Sequence, residues 1–336
     1  MWGMPGKRGS TMNKPLNWGI LGASHFALNH MGPAIHQARG ARLSALATSS
    51  VEKAAPFQAF CPDIKVHLSY DDLLADEAVE AVYIPLPNHL HVDWVKKALR
   101  AGKHVLCEKP VALQADQIDE LIALRDDTGL LAAEAYMIVH HPQWQRARAL
   151  YQDGAIGNLV HVDGVFSYFN DDADNIRNRP ETGGGGIRDI GVYTYGSARF
   201  VTGQEPLNIS HTHIKWENDV DTYAHVLADF EGFTYSAITS MRMANRQEMV
   251  FHGDKGVMRL NAPFNAELFA EPKVTIYRPD HTDMVERFPS EHHYVNQVEN
   301  FALSVRAGAQ YPWTLENARG TQLMIDMIFE ADKSAS

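Results

Sequence analysis

The sequence predicts an α/β chain in two parts: an N-terminal doubly wound parallel sheet, then an α+β domain built on a large, mostly antiparallel open sheet. Three observations carry this. Up to residue 137 short apolar runs alternate with helix-period segments, the grammar of strand, helix, strand. A glycine-containing turn, GILGASHFA (19–27), follows the first run and opens a helix. After about residue 140 the strands lengthen and are joined by short turns such as FEGF and GDKG, as in an antiparallel sheet with one covered face.

The elements follow in order. WGIL (18–21) and ARLSALAT (41–48) are the first two strands. AVYIPL (81–86) is a continuous apolar run suited to burial on both faces. Residues 88–101 place Leu90, Trp94, Val95, Ala98 and Leu99 on one helical face and stop at Gly102. HVLC (104–107) is a strand, 113–129 a helix ending at Gly129, and LLAAEAYM (130–137) another strand. A helix over 142–151 opens the second part. Strands NLVHVDGVFSYF, LNISHTHIKW, TYAHVLADF, FTYSAITSM, EMVFHG, KGVMRL and KVTIYR follow, and helices near 292–307 and 314–333 close the chain. The domains are therefore 15–137 and 138–336, with 1–14 a disordered leader.

Composition narrows the function. A net charge of −11 excludes a sequence-independent nucleic-acid binder, which needs clustered Lys and Arg. Two cysteines, Cys61 and Cys107, make no disulfide framework and point to a reducing, cytoplasmic setting. The N-terminus has no secretory h-region, and no run reaches the roughly 18 apolar residues a bilayer span needs, so no membrane is expected.

Read as G-x-G-x-x-A, the first turn is Gly22, Ala23, Ser24, His25, Phe26, Ala27, with Ser24 in place of the second glycine. A dinucleotide fold holds a pyrophosphate here on helix N-terminal N–H groups; an ordinary strand-to-helix connection is the alternative. The second strand ends in Thr48, Ser49 and Ser50, with Lys53 nearby and no acid at the strand end. Hydroxyls and a lysine suit a 2′-phosphate, so NADP is expected over NAD; the alternative is that the hydroxyls only cap the next helix.

Glu108 and Lys109, followed by Pro110, stand at the carboxyl end of an interior strand, where open α/β sheets bind ligands. Pro87 and Asn88 reach the same edge. In GGGGIRDIGVY (183–193) Asp189 and Tyr193 are four apart on one helical face, and the glycines would let backbone pass close to a ligand. Without a ligand, Tyr193 would be a half-buried aromatic and Asp189 a carboxylate at a helix start.

With these residues in place, the sequence resembles the glucose-fructose oxidoreductase / inositol dehydrogenase / MocA family of NAD(P)-dependent oxidoreductases. The resemblance runs from WGILGASHFA through PNHLHVDWVKKALRAGKHVLCEKPVAL and EAYMIVHHPQW to GGGGIRDIGVY and WTLENARGTQLMID. It implies a Rossmann domain followed by a substrate domain. It makes Lys109 the active-site lysine beside nicotinamide and substrate, with Glu108 near the nicotinamide ribose. The cofactor-facing set becomes Gly22, Ala23, Ser24, His25, Phe26, Ser49, Ser50, Lys53, Pro87, Asn88, His91, Glu108 and Lys109. Tyr193 stands where the inositol branch has a histidine. That resembles the branch of D-xylose dehydrogenases and dimeric dihydrodiol dehydrogenases.

The expected reaction is NADP-dependent hydride transfer to or from a sugar or polyol, foremost oxidation of an aldose at C1. A trans-dihydrodiol or carbonyl reductase and a non-catalytic dinucleotide-binding protein are the alternatives. Tyr193 would be the general acid/base, Lys109 would lower its pKa, and Asp189 would orient substrate or Lys109. Family likeness also implies a homodimer or homotetramer through the C-terminal sheet. No metal is expected, because none of the close pairs His89/His91, His140/His141, His211/His213 and His292/His293 has zinc-like spacing. His140 and His141 would line the cleft or enter a helix. The polar stretch 170–181 would close over substrate or stay a solvated loop, with Arg177 or Arg179 near the cofactor.

Overall fold

The computed structural model describes residues 14–335. The expected leader, apart from Lys14, lies outside them. Six short strands form the first sheet: β1 (Leu16–Leu21), β2 (Ala41–Ala47), β3 (Lys65–His67), β4 (Ala81–Ile84), β5 (His104–Cys107) and β6 (Ala132–Glu134). All pair in parallel, in the order β3-β2-β1-β4-β5-β6. All four residues of β4 are fully buried, which is why its sequence is apolar without alternation. The strand order reverses between β1 and β4, so the crevice opens beyond their carboxyl ends. The glycine turn, Leu86–Asn88 and Glu108–Lys109 all lie there.

The second sheet comprises β7 (Leu159–Phe169), β8 (Asn208–Glu217), β9 (Val220–Phe230), β10 (Phe233–Ser240), β11 (Arg242–Gly253), β12 (Val257–Asn261), β13 (Lys273–Tyr277) and β14 (Asp283–Arg287). Its order is β14-β13-β12-β11-β7-β10-β9-β8, antiparallel throughout except that β7 and β10 run parallel at the centre. Burial alternates along β9, so one face meets the helices Pro142–Gln152, Val192–Thr202 and Leu315–Ala335 and the other stays open.

Three local expectations change. The strand drawn over 130–137 keeps only Ala132–Glu134, because Glu134 turns inward and its carboxylate accepts from Val111 N (3.0 Å) and Trp313 Nε1 (3.0 Å). β3 and β14 were not legible, being three and five residues long and largely exposed. The division at 138 also groups, after residue 292, helices that return to the first sheet. Phe301 meets Trp18 at 4.8 Å, and Leu315 and Ala318 join the core behind β4 and β5. Arg125 and Arg306 fasten this return through Glu316 and Glu80.

Candidate active site

The glycine turn is built for close approach. Gly22 sits at φ +111°, where a side chain is strained, and its N–H donates to Ala47 O (3.0 Å). Ser24 Oγ accepts from Ala27 N (3.0 Å) and so starts the helical turn Ala27–Met31 that runs into Gly32–Gln37. The serine in the second-glycine position thus has its own structural task. Ala23 packs on the core, while Ser24, His25 and Phe26 face a cleft of about 620 Å³ between the two sheets.

At the end of β2 the capping alternative accounts for part of the hydroxyl cluster. Ser50 Oγ accepts from Lys53 N (3.2 Å) as an N-cap and donates to Glu52 Oε2 (2.8 Å). Thr48 is buried, whereas Ser49 and Lys53 are exposed; none of the three lines the cleft. Glu52 is a carboxylate next to this cluster that the sequence reading passed over. Pro87 begins the turn into the helix His91–Arg100, and Asn88 Nδ2 crosses the cleft to Gly183 O (2.9 Å).

His91 is corrected: it faces no ligand. It is completely buried, with Nδ1 2.7 Å from Pro110 O and Nε2 2.7 Å from Leu86 O. It ties the loop after β4 to the loop after β5 from behind the cleft. The histidine pair His140 and His141 is likewise interior: His141 Nδ1 caps the helix Pro142–Gln152, and His140 Nδ1 meets Asn300 at 2.9 Å.

Glu108 and Lys109 do not pair with each other's side chains. Glu108 Oε1 accepts from Tyr83 OH (2.6 Å), and burial, opposed by that bond and by Lys109, leaves its pKa raised. The Lys109–Pro110 peptide is cis. Lys109 Nζ donates to Asp189 O (2.7 Å) and Oδ1 (3.1 Å) and lies 4.9 Å from the centre of the Tyr193 ring. The other Asp189 oxygen, Oδ2, accepts from Tyr168 OH (2.6 Å) and from Arg177 Nε (2.9 Å). Burial pushes the Asp189 carboxyl up, but Arg177 and Lys109 outweigh it and hold the group well below the usual range. Arg179 instead pairs with Asp174 at the surface (2.9 Å).

Tyr193 departs from its expected setting. Its hydroxyl points at Met137 Sδ (3.4 Å), and its ring is packed by Tyr136, Phe166 and Phe264. Lys109 sits over the ring face rather than at the hydroxyl, and burial drives the phenol pKa well above its ordinary value. The expected lowering by Lys109 is absent for that reason, and the group is a protonated phenol at neutral pH.

The glycine run is packed against protein as much as it is open to the cleft. A Cβ on Gly183 would meet Leu113 at 2.9 Å, and one on Gly184 the Arg177 carbonyl at 2.5 Å. On Gly185 (φ +117°) it would lie 2.1 Å from Asp221 Oδ1. Sequence reading missed Tyr83, Tyr168, Asp221 and Tyr294. Tyr294, from the helix His293–Ala307, lines the cleft and stands edge-on to Phe26 at 5.6 Å. None lies in a motif; each reaches the site only through the packing of distant strands and helices.

A doubly wound sheet whose strand-end lysine meets an aspartate and a phenol from a second domain defines a two-domain dinucleotide-dependent oxidoreductase. Residues 16–136 match the oxidoreductase family with an NAD-binding Rossmann fold, and residues 144–259 match the GFO/IDH/MocA C-terminal domain. The chain belongs to this family. It is 31% identical to a dTDP-3,4-didehydro-2,6-dideoxy-alpha-D-glucose 3-reductase of Streptomyces antibioticus, over 94% of each chain. It is also 31% identical to the NADP-dependent D-xylose 1-dehydrogenase 2 of Haloferax volcanii, over 95% of this chain and 98% of that one. The crystal structure of a 3-ketoreductase from Actinomadura kijaniata with NADP and TDP-benzene superposes with a TM-score of 0.87 at 28% identity, covering 95% of this chain and 98% of that one. No helix among the described residues is long and apolar enough to cross a membrane.

Proposed function

We propose that this chain is an NADP-dependent sugar oxidoreductase that reduces a carbonyl on a sugar to an alcohol. The observation that carries the reading is Tyr193 beside Lys109 in the cleft: a phenol there can give its proton to a carbonyl oxygen as hydride arrives, and the likeness to the dTDP-sugar 3-reductase and the 3-ketoreductase favours the reducing direction. The partner of its hydroxyl among the described residues, a thioether, is a weak acceptor, so the O–H stays available. The nicotinamide supplies the hydride. Gly22, Ser24, His25 and Phe26 would hold its pyrophosphate side, and Ser49 and Lys53 a 2′-phosphate. NADP is supported by that strand end and by the cofactor of both the Haloferax enzyme and the Actinomadura structure.

As hydride reaches the carbonyl carbon, negative charge grows on its oxygen. The Lys109 ammonium stabilises that charge, and Tyr193 delivers the proton, to be replaced from solvent. Asp189 holds Lys109, while Arg177 and Tyr168 hold Asp189. Phe26 and Tyr294 meet edge-on at 5.6 Å and narrow the cleft.

Oxidation of an aldose at C1 is the second reading, favoured by the likeness to D-xylose 1-dehydrogenase. Absorbance at 340 nm decides between them. NADPH consumption with keto sugars, free or nucleotide-linked, supports reduction. NADP reduction by D-xylose or another aldose, with no keto-sugar activity, overturns it in favour of the second reading. Activity with neither sinks both.

A second copy laid on the open face of the C-terminal sheet completes the proposal. The outward row His225, Ile238, Val165 and Glu248 crosses four strands and mixes apolar with polar groups. Light scattering checks it, and a monomer at micromolar concentration would exclude it.

A further inference from the structure

Asp221, the second residue of β9, does not itself line the cleft, yet it is among the most buried acidic residues described, 2% exposed. Its Oδ2 accepts from Ile187 N at 2.6 Å, and the Gly186 N–H also favours its charge. Gly185 can pass only because it lacks a Cβ, which would fall 2.1 Å from Oδ1. The turn held in this way has a definite load. Asp189 N donates to Gly185 O (3.0 Å), and the Asp189 carbonyl and carboxylate are the two acceptors of Lys109 Nζ. No other carboxylate among the described residues holds this turn from behind.

We propose that Asp221 is a positioning residue for hydride transfer: its carboxylate seats the Gly185–Asp189 turn, and the turn presents Asp189 to Lys109. This rests on the catalytic reading of Lys109 and Tyr193. The charged and titratable groups around it are Arg188 on the same turn, Tyr195 on the helix Val192–Thr202, and Asp326 beyond Arg188 on the last helix. Burial, only partly opposed by the Ile187 N–H and Arg188, brings the Asp221 carboxyl up to about 7. In the working pH range the group therefore exchanges between an anionic acceptor and a neutral acid that accepts more weakly. When the turn lifts while Asp221 stays buried, only the bond from Ile187 N is lost; that bond favours the anion, so in this local step, unlike in global unfolding, the turn loosens as pH falls through that point and Lys109 loses its fixed partner.

The fold itself prefers the neutral form. A raised carboxyl pKa means the folded state binds the proton more tightly, so this group's contribution to stability falls as pH rises from the ordinary carboxylate range towards about 7. An amide of the same shape escapes that cost, so a structural role and a positioning role separate. Asp221→Asn should melt no lower than wild type at pH 8. Its kcat should fall about tenfold, as sub-ångström misplacement of a reacting group produces, with KM within about twofold. Its kcat should also be level between pH 6 and 8, where wild type loses activity on the acid side.

Hydrogen exchange of the segment 184–193 gives a readout independent of turnover. In wild type, protection of the Ile187 amide, corrected for intrinsic rate, should drop between pH 8 and 6. In Asp221→Asn it should be low at both. Wild-type kcat with an intact acid limb in the variant, or equal Ile187 protection in both proteins at both pH values, would overturn the proposal. If no sugar is turned over, the functional reading fails on its own while exchange still decides the role of Asp221 at the turn.

Discussion

Replacing Asp189 by asparagine removes the one negative charge that lies 3.1 Å from Lys109 Nζ and 2.9 Å from Arg177 Nε. At an effective dielectric of about 20, a pair at roughly 3 Å carries about 5 kcal/mol of gross attraction. Desolvation of the carboxylate takes back much of this. Arg177 is 40% exposed, so its share is further screened. Lys109 is only 11% exposed and cannot turn to water without leaving the site. The larger effect is therefore what remains: two cations facing an amide in a closed space. Removing one partner of a buried pair costs about 3–5 kcal/mol, and the exposure of Arg177 places this case near 3. Urea unfolding at pH 7, followed by tryptophan fluorescence, measures it. Removing the stranded ammonium as well, in Asp189→Asn/Lys109→Met, should recover about half of the loss, because the two changes share one interaction. A single-variant cost below about 1 kcal/mol, or a double variant that simply adds the two losses, would refute the view that Asp189 is held by charge.

Tyr193→Phe should lower kcat by about 10²–10³, the usual contribution of a positioned proton donor, with cofactor affinity by fluorescence titration unchanged. That loss should be the same from pH 6 to 9, since burial holds the wild-type phenol protonated throughout; a near-normal kcat would remove Tyr193 from the mechanism. Gly185→Ala meets Asp221 Oδ1 at 2.1 Å at a φ of +117°, and should cost well over 2 kcal/mol by urea unfolding. Gly203→Ala, at φ +71° with nothing within 4 Å, should cost only about 1 kcal/mol and serves as the control; equal costs would show that φ alone, not Asp221, excludes a side chain. Burial lowers His140 and His293 to about 3 and His141 to about 4, so the stability from keeping them neutral is complete above their ordinary 6.5 and drains away as pH falls towards 4. Asp221, Glu108 and Glu134, whose carboxyls burial raises, work the other way in this window, while His91 and His104, lowered by burial, add to the histidine side, so the urea midpoint should drop between pH 6.5 and 4.5; a level midpoint would contradict the neutral burial of these rings.

The parts of the site legible in the sequence are those whose chemistry is local. Gly22 must take a positive φ after β1, and the Lys109 backbone position follows from the end of β5; both are consequences of strand and turn grammar. Asp189 and Tyr193 are read from their spacing of four. The sequence offered capping for Ser50 and helix entry for His141 only as alternatives, and the role of His91 was not legible, because capping a helix or bridging two carbonyls depends on where a neighbouring segment stops. The orientation of Tyr193 was not legible either. Its hydroxyl faces Met137 because Tyr136, Phe166 and Phe264 close the space around the ring, and these come from three separate parts of the chain.

By itself the sequence determined the two sheets, their parallel and antiparallel character, and the motifs that face the cleft. Hydrophobic period and turn residues act over a few positions, and they are written in order along the chain. Only the tertiary structure decided that the last two helices rejoin the first sheet, that Asp189 rather than Tyr193 meets the Lys109 ammonium, and that Tyr83, Tyr168, Asp221 and Tyr294 complete the site. Those outcomes depend on contacts between residues 21 to 211 positions apart, chosen by shape and by the cost of burying charge, and neither quantity exists until the two sheets are packed against each other.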